Sequence, residues 1–173
     1  MIGYAFQSYI KEREIIENEK PVEKPEEIPN ASNEIVFDSS LAINENNEIS
    51  GIQNNTVDNI KKLITTNLSV ELYDKDNLLT NEQYMGTGDR IIFKDDNGNV
   101  VHEYKTIIYG DLNGDGLINS LDVLILQKHI LETRLLTGIY LKAGNISKNG
   151  NKPNSLDVLK IQKHILETRL IEQ

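Results

Sequence analysis

Residues 111–122 read Asp111-Leu-Asn-Gly-Asp-Gly-Leu-Ile-Asn-Ser-Leu-Asp122, and they run straight into a stretch that the chain repeats. That stretch, NSLDVLILQKHILETRLL at 119–136, returns as NSLDVLKIQKHILETRLI at 154–171. The copies lie 35 residues apart and differ only at Ile125/Lys160, Leu126/Ile161 and Leu136/Ile171. Each follows a Gly- and Asn-rich segment, so the repeating unit is a loop followed by a helix. The helices are predicted to begin near Ser120 and Ser155, with Asp122 or Asp157 in the first turn, where negative charge suits the macrodipole. Val123, Leu124, Ile130 and Leu131 form an apolar stripe, twinned by Val158, Leu159, Ile165 and Leu166. Two helices of about four turns are expected to pack antiparallel through these stripes, with Gly138 ending the first.

The loop at 111–122 has the oxygen spacing of a hard-cation site. In an EF-hand type loop, positions 1, 3, 5, 7 and 12 supply oxygens and position 6 is glycine for the sharp turn. Here these are Asp111, Asn113, Asp115, the backbone carbonyl of Leu117 and Asp122, with Gly116 at the turn. Ile118 provides the apolar anchor. An all-oxygen set with three carboxylates favours Ca²⁺ over softer metals. Position 12 is Asp rather than Glu, and Tyr104–Tyr109 reads as a strand, so no helix enters the loop. A calcium sensor needs two helices per loop to open a groove.

The second loop is a weakened copy. Its ligand set would be Asn145, Ser147, Asn149, the carbonyl of Asn151 and Asp157, with Gly150 at the turn. Three carboxylates fall to one, Lys148 adds positive charge, Lys152 takes the anchor position, and Pro153 lengthens the loop by a residue. Affinity follows ligand charge and rigidity. One Ca²⁺ is therefore expected, in the first loop, with the second site weak or lost. His129 and His164 have no second His or Cys beside them and read as surface or half-buried residues without a metal role. Ile125 against Lys160 breaks the symmetry and implies different surroundings, Ile125 packing on the upstream residues.

Composition narrows the function classes. The chain has 173 residues, 38% of them hydrophobic, no Trp, and a formal net charge of -9. That acidity opposes nucleic acid and anionic membrane as partners. Without Cys there is no disulfide, thiolate zinc site or Cys nucleophile. No apolar run reaches the roughly 18 residues of a membrane span. There is no HExxH, no phosphate-binding Gly loop and no nucleophile elbow. Asp74/Asp76 and Asp95/Asp96 read as turn formers. No catalytic residue is predicted, and the chain is expected not to be an enzyme.

Upstream, residues 1–33 divide into a short helix over 1–20 and a spacer over 20–33 with Pro21, Pro25 and Pro29. Residues 34–109 read as a compact β-rich α+β module with one helix, either β-grasp-like or immunoglobulin-like. Its strands are predicted around Ile35/Phe37, Leu41/Ile43, Ile49/Ile52, Ser69–Tyr73, Asp89–Lys94 and Val100–Ile108. Thr56 would cap a helix whose Val57, Ile60, Leu63 and Ile64 share a face. The turn Asp95-Asp-Asn-Gly98 marks a hairpin. No linker separates this module from Asp111, so the two are expected to pack together. Residues 1–10 lack the basic and apolar regions of a signal peptide, and the chain is read as the tail of something longer.

Residues 110–171 resemble a type I dockerin, through the strings GDLNGDGLINSLDVLILQKHIL and GNISKNGNKPNSLDVLKIQKHIL. The GTGDR segment before the hairpin is similar to small β-rich modules that precede dockerins. The resemblance implies an all-α dockerin over 110–173 with two EF-hand-like repeats, and calcium-dependent binding to a cohesin domain of a scaffold protein. It implies an extracellular or cell-surface setting in clostridial polysaccharide breakdown. By the same resemblance the cohesin-facing residues are Ser120, Leu121, Gln127 and Lys128, with Ser155, Leu156, Gln162 and Lys163. The duplication then permits two docking orientations related by a two-fold rotation. The competing reading places Leu121 and Leu156 in the core. Two alternatives to docking are a calcium sensor and a carbohydrate-binding accessory module, the latter opposed by the missing Trp. Chelation is expected to melt 110–173 and spare 34–109.

Overall fold

The computed structural model describes residues 33–173. The helix and spacer expected over 1–33 lie outside the described residues but for Asn33. The architecture is α+β. Strand β1 (Ile35–Phe37) pairs antiparallel with β4 (Ile64–Thr66) in a two-stranded ribbon. The other strands are β2 (Ala42–Ile43), β3 (Glu48–Ser50), β5 (Ser69–Asp74), β6 (Asn77–Leu78), β7 (Arg90–Lys94) and β8 (Val100–Thr106). They form one six-stranded mixed sheet in the order β2-β3-β8-β7-β5-β6. Only β3 and β8 run parallel, Glu48 opposite Lys105 and Ile49 opposite Thr106.

Central strand β7 buries Ile91, Ile92 and Phe93 in succession. A strand buried on both faces loses the polar alternation of a half-solvated one. Phe93, Phe37 and Tyr104 meet edge to face, with centroids 5.2 to 6.1 Å apart. Helix α1 (Val57–Lys62) covers this core with Val57 and Ile60. It stops before Ile64, which the helical pattern would have included. Ile64 instead opens β4 opposite Phe37, so strand pairing overrides local period. Thr56 occupies the N-cap position but makes no side-chain cap bond.

The helical half holds α2 (Ser120–Ile130), α3 (Gly138–Gly144) and α4 (Ser155–Ile165). Asn119 caps α2: its side chain accepts from Leu121 N–H at 2.8 Å, and Asp122 accepts from Asn119 N–H at 2.8 Å. Asn154 and Asp157 repeat this on α4. A reciprocal cap of this kind fixes where a helix starts. Each helix is 11 residues, shorter than the four turns expected. Gly138 does not end α2; it opens α3, which the sequence reading did not foresee.

The apolar stripe also needs correction. The buried side of α2 is Asp122, Ile125 and Leu126, and of α4 Asp157 and Ile161. Leu124, Ile130 and Leu131 are exposed, as are their twins Leu159, Ile165 and Leu166. The helices pack on each other through Leu126 and Ile161, both 0% exposed. Ile125 joins the helical core with Leu112, Ala143, Ile146 and Ile171, and of the upstream half it meets Ile107 in that cluster. Successive residues of an extended segment point to opposite sides. Accordingly Ile107 faces the helical core and Ile108 the sheet core. Ile118 packs against both clusters. At the far end, the Gln173 amide accepts from Tyr109 N–H at 2.6 Å and donates to Tyr109 O at 3.1 Å.

Candidate metal centre

The first loop begins where β8 runs out and ends in the first turn of α2. Gly116, at φ 76°, makes the reversal that a side chain would strain. Asp111 is 0% exposed. Its Oδ1 accepts from Gly114 N–H at 2.8 Å, and its Oδ2 accepts from Gly116 N–H at 3.1 Å and Thr87 N–H at 2.7 Å. Asp122, also fully buried, accepts from Leu112 N–H and Asn119 N–H at 2.8 Å each. Asp115 accepts from Leu117 N–H at 2.9 Å and from the Asn113 amide at 2.7 Å. Leu117 is exposed.

These donors fit a hard cation by their chemistry. Burial pushes the Asp111 carboxyl up to about 6, its three backbone N–H partners pulling the other way and the Asp122 charge adding to the rise. Asp122 is raised too, first by burial and also by the charge of Asp115. No Lys or Arg answers them: among the described residues, none of the ion pairs includes Asp111, Asp115 or Asp122. Buried carboxylates without a counter-charge are costly, by several kcal/mol each on the order of magnitude. Among the described residues no three His, Cys, Asp or Glu side chains stand ready-made around an ion position. The proposed set includes three carboxylates, Asp111, Asp115 and Asp122, so as the loop stands they are not gathered about one point; an ion would have to draw them in together with the Asn113 amide oxygen and the Leu117 carbonyl.

The second loop is built differently. Asp157, 0% exposed, accepts from Ser147 N–H at 2.6 Å and Asn154 N–H at 2.8 Å. The Asn145 amide donates to Gly150 O at 3.0 Å, while its buried Oδ1 has no partner. Ser147 Oγ accepts from Asn149 N–H at 3.4 Å, and Asn151 is exposed. One lysine reaches into the loop and another leaves it. Lys160 Nζ donates to Ile146 O at 3.2 Å, and Lys148 Nζ lies 5.0 Å over the Tyr109 ring. Pro153 is buried at the base of the loop, against Gly144, where Ile118 stands in the first repeat. It is thus the second loop's apolar anchor, one residue beyond Lys152, to which the sequence reading gave that place.

Ser120, Leu121, Gln127, Lys128, Ser155, Leu156, Gln162 and Lys163 are all exposed. Leu121 and Leu156 retain 46% and 41% of their surface, which removes the reading that puts them in the core. The sequence reading missed the residues upstream that grip the first loop. Thr87 bonds Asp111, and the Asn55 amide donates to Met85 O and Gly116 O at 2.7 Å each. Asp89, buried and accepting from Gly86 N–H at 2.7 Å, is raised to about 7, chiefly by burial. A sequence signal that bears on this is the GTGDR segment, whose two glycines suit a tight turn but do not name its partner.

Comparison with known families places the helical half. Residues 109–166 match the dockerin type I domain. The match spans about a third of the chain and assigns nothing upstream of residue 109. No curated protein and no solved structure matches the sequence. Dockerin domains are non-catalytic, calcium-binding modules that bind cohesin domains. Among the described residues no helix is long and apolar enough to cross a membrane.

Proposed function

We propose that residues 110–173 form a docking module that takes up one Ca²⁺ in its first loop and presents α2 and α4 to a cohesin domain. The module would thereby fasten an exported, glycan-degrading or adhesive partner to a scaffold or cell surface. The observation that carries this is the pair of fully buried acids, Asp111 and Asp122, which frame the loop and, among the described residues, enter no ion pair. Asp111, Asn113, Asp115, the Leu117 carbonyl and Asp122 are the proposed ligands. A bound divalent ion supplies the missing positive charge and locks the start of α2. The second loop supports no equal site. It has a single carboxylate, Asp157, and the Lys160 ammonium already bonds its Ile146 carbonyl.

The docking face we assign is Ser120, Leu121, Gln127 and Lys128 with their twins Ser155, Leu156, Gln162 and Lys163. Matching exposure in both repeats favours two usable orientations. The upstream residues 34–109 are read as a β-grasp-like unit packed on the helical half, since six of their eight strands join one mixed sheet and β1 and β4 form a short ribbon beside it.

Titration calorimetry of the full chain tests this with a type I cohesin as ligand, in calcium chloride and then in excess chelator. The expected result is one Ca²⁺ per chain and cohesin binding that disappears with the ion. Ser120→Asp with Leu121→Asp alone should leave cohesin affinity near the parent value, and the same change at both pairs, Ser155→Asp and Leu156→Asp added, should abolish it. Two tight equivalent Ca²⁺ sites, or unaltered cohesin binding in chelator, would refute the reading.

A further inference from the structure

We propose that Asn55, Gly86 and Thr87 are positioning residues of the first loop, an outer shell lent by the upstream sheet that sets the loop's affinity for Ca²⁺. The inference rests on the calcium reading of that loop. Its basis is geometric. The Thr87 N–H reaches Asp111 Oδ2 at 2.7 Å, closer than the loop's own Gly116 N–H at 3.1 Å. Thr87 is itself pinned, its Oγ1 donating to Ile108 O at 3.0 Å and accepting from Ile108 N–H at 3.1 Å. Thr106 Oγ1 holds the preceding carbonyl, Gly86 O, at 2.6 Å. The N–H that orients the position-1 carboxylate is thereby fixed to the strand leading into the loop.

Asn55 closes the other side. Its amide uses both hydrogens on carbonyls, one to Met85 O and one to Gly116 O, so it ties the upstream turn to the glycine of the loop. Gly86 lets the two backbones approach. A Cβ there would lie 2.2 Å from Gly114 O and 2.9 Å from Gly116 N, both main-chain atoms of the loop. Among the described residues, nothing in 34–108 hydrogen-bonds the second loop in a comparable way; the brace serves only the loop with three carboxylates. Partners that orient metal ligands typically change affinity about 10–100-fold when removed.

The test is Ca²⁺ calorimetry on full-length variants, with ¹⁵N-resolved amide spectra of the parent chain. Asn55→Ala should weaken Ca²⁺ binding about tenfold. Asn55→Asp, which sets a carboxylate against two carbonyls, should weaken it further. Gly86→Ala should do at least as much, and if it does not fold the Asn55 pair decides alone. Phe93→Leu, a core change in β7, should lower the melting temperature yet leave Ca²⁺ affinity within about twofold. During titration the Thr87 amide resonance should move and saturate together with that of Gly116. A parent chain that binds no Ca²⁺ defeats the calcium reading itself. Should the parent bind while the Asn55 and Gly86 variants match it, or Phe93→Leu lose as much as they do, or the Thr87 amide stay still, the outer-shell assignment alone is overturned.

Discussion

His129 and His164 show how much one side chain does at the end of each repeat. Nδ1 of His129 accepts from Leu136 N–H at 3.0 Å, and Nδ1 of His164 accepts from Ile171 N–H at 3.1 Å. Both bonds close a turn in which Glu132 and Glu167 sit at φ 58° and 53°. The duplicated unit therefore extends past its helix into the chain that follows. Nothing in the sequence revealed this, because a histidine bonded to main-chain N–H requires no particular residue opposite it. Burial lowers the pKa of His164 below its ordinary 6.5. The neutral ring is thus favoured by the fold, and protonation is favoured by the unfolded chain. The stability this group contributes is fully present above pH 6.5 and is lost as pH falls through the depressed folded value. The protection of the Ile171 amide, its exchange rate divided into the intrinsic one, should fall as pH is lowered from 7 to 5. His164→Asn, whose Oδ1 can accept without titrating, should flatten that dependence, and equal pH slopes in the two proteins would exclude the histidine as its source.

At the scale of elements, the two helices were readable as helices but not in orientation. The repeat, the acid in each first turn and the 3.6-residue period all agree on where α2 and α4 lie. The period fails to choose a buried face because α2 carries aliphatic residues nearly all round, Leu121, Leu124 and Leu131 outward and Ile125 and Leu126 inward. Which side is covered is decided by Ile107, Leu112 and Ala143 from elsewhere in the fold. Helix α3 and strand β4 escaped notice for a related reason: each is short and held by tertiary contacts rather than by its own propensity. A pair of substitutions separates the faces. Leu126→Ala, at a site with 0% exposure, should cost about 2–5 kcal/mol in urea unfolding. Leu131→Ala, at 72% exposure, should change stability by about 0.5 kcal/mol or less. The reverse ranking would restore the stripe first inferred from the sequence.

For the molecule as a whole, the decisive feature is that the sheet and the helices share their boundary. Ile107 and Ile108 belong to opposite cores, Ile118 packs on both, and Asp111 is bonded from Thr87. Glu48 of β3 also reaches Lys142 of α3, Nζ to Oε2 at 2.5 Å. Independent modules joined at a hinge would have few such links. The expectation that chelation melts 110–173 and spares 34–109 thus gives way to a different one. Loss of the ion should destabilise both halves in a single transition, since opening the first loop removes Ile118 from the sheet core and frees the Thr87 turn. A ligand that binds only the folded form stabilises it by about 4 kcal/mol at about a thousand times its Kd. For a chain of this size that corresponds to a midpoint shift on the order of 10 °C. Thermal unfolding should therefore be followed with and without calcium in a Tyr109→Phe/Tyr140→Phe variant by two probes, helical circular dichroism at 222 nm and the near-ultraviolet tyrosine signal, to which the described residues then contribute Tyr73, Tyr84 and Tyr104 of the upstream half. The two curves should coincide in each condition and move together on chelation. A tyrosine signal that stays put while the helical signal falls would mean that the sheet folds without the loop, and that the contacts between them contribute little to holding either one.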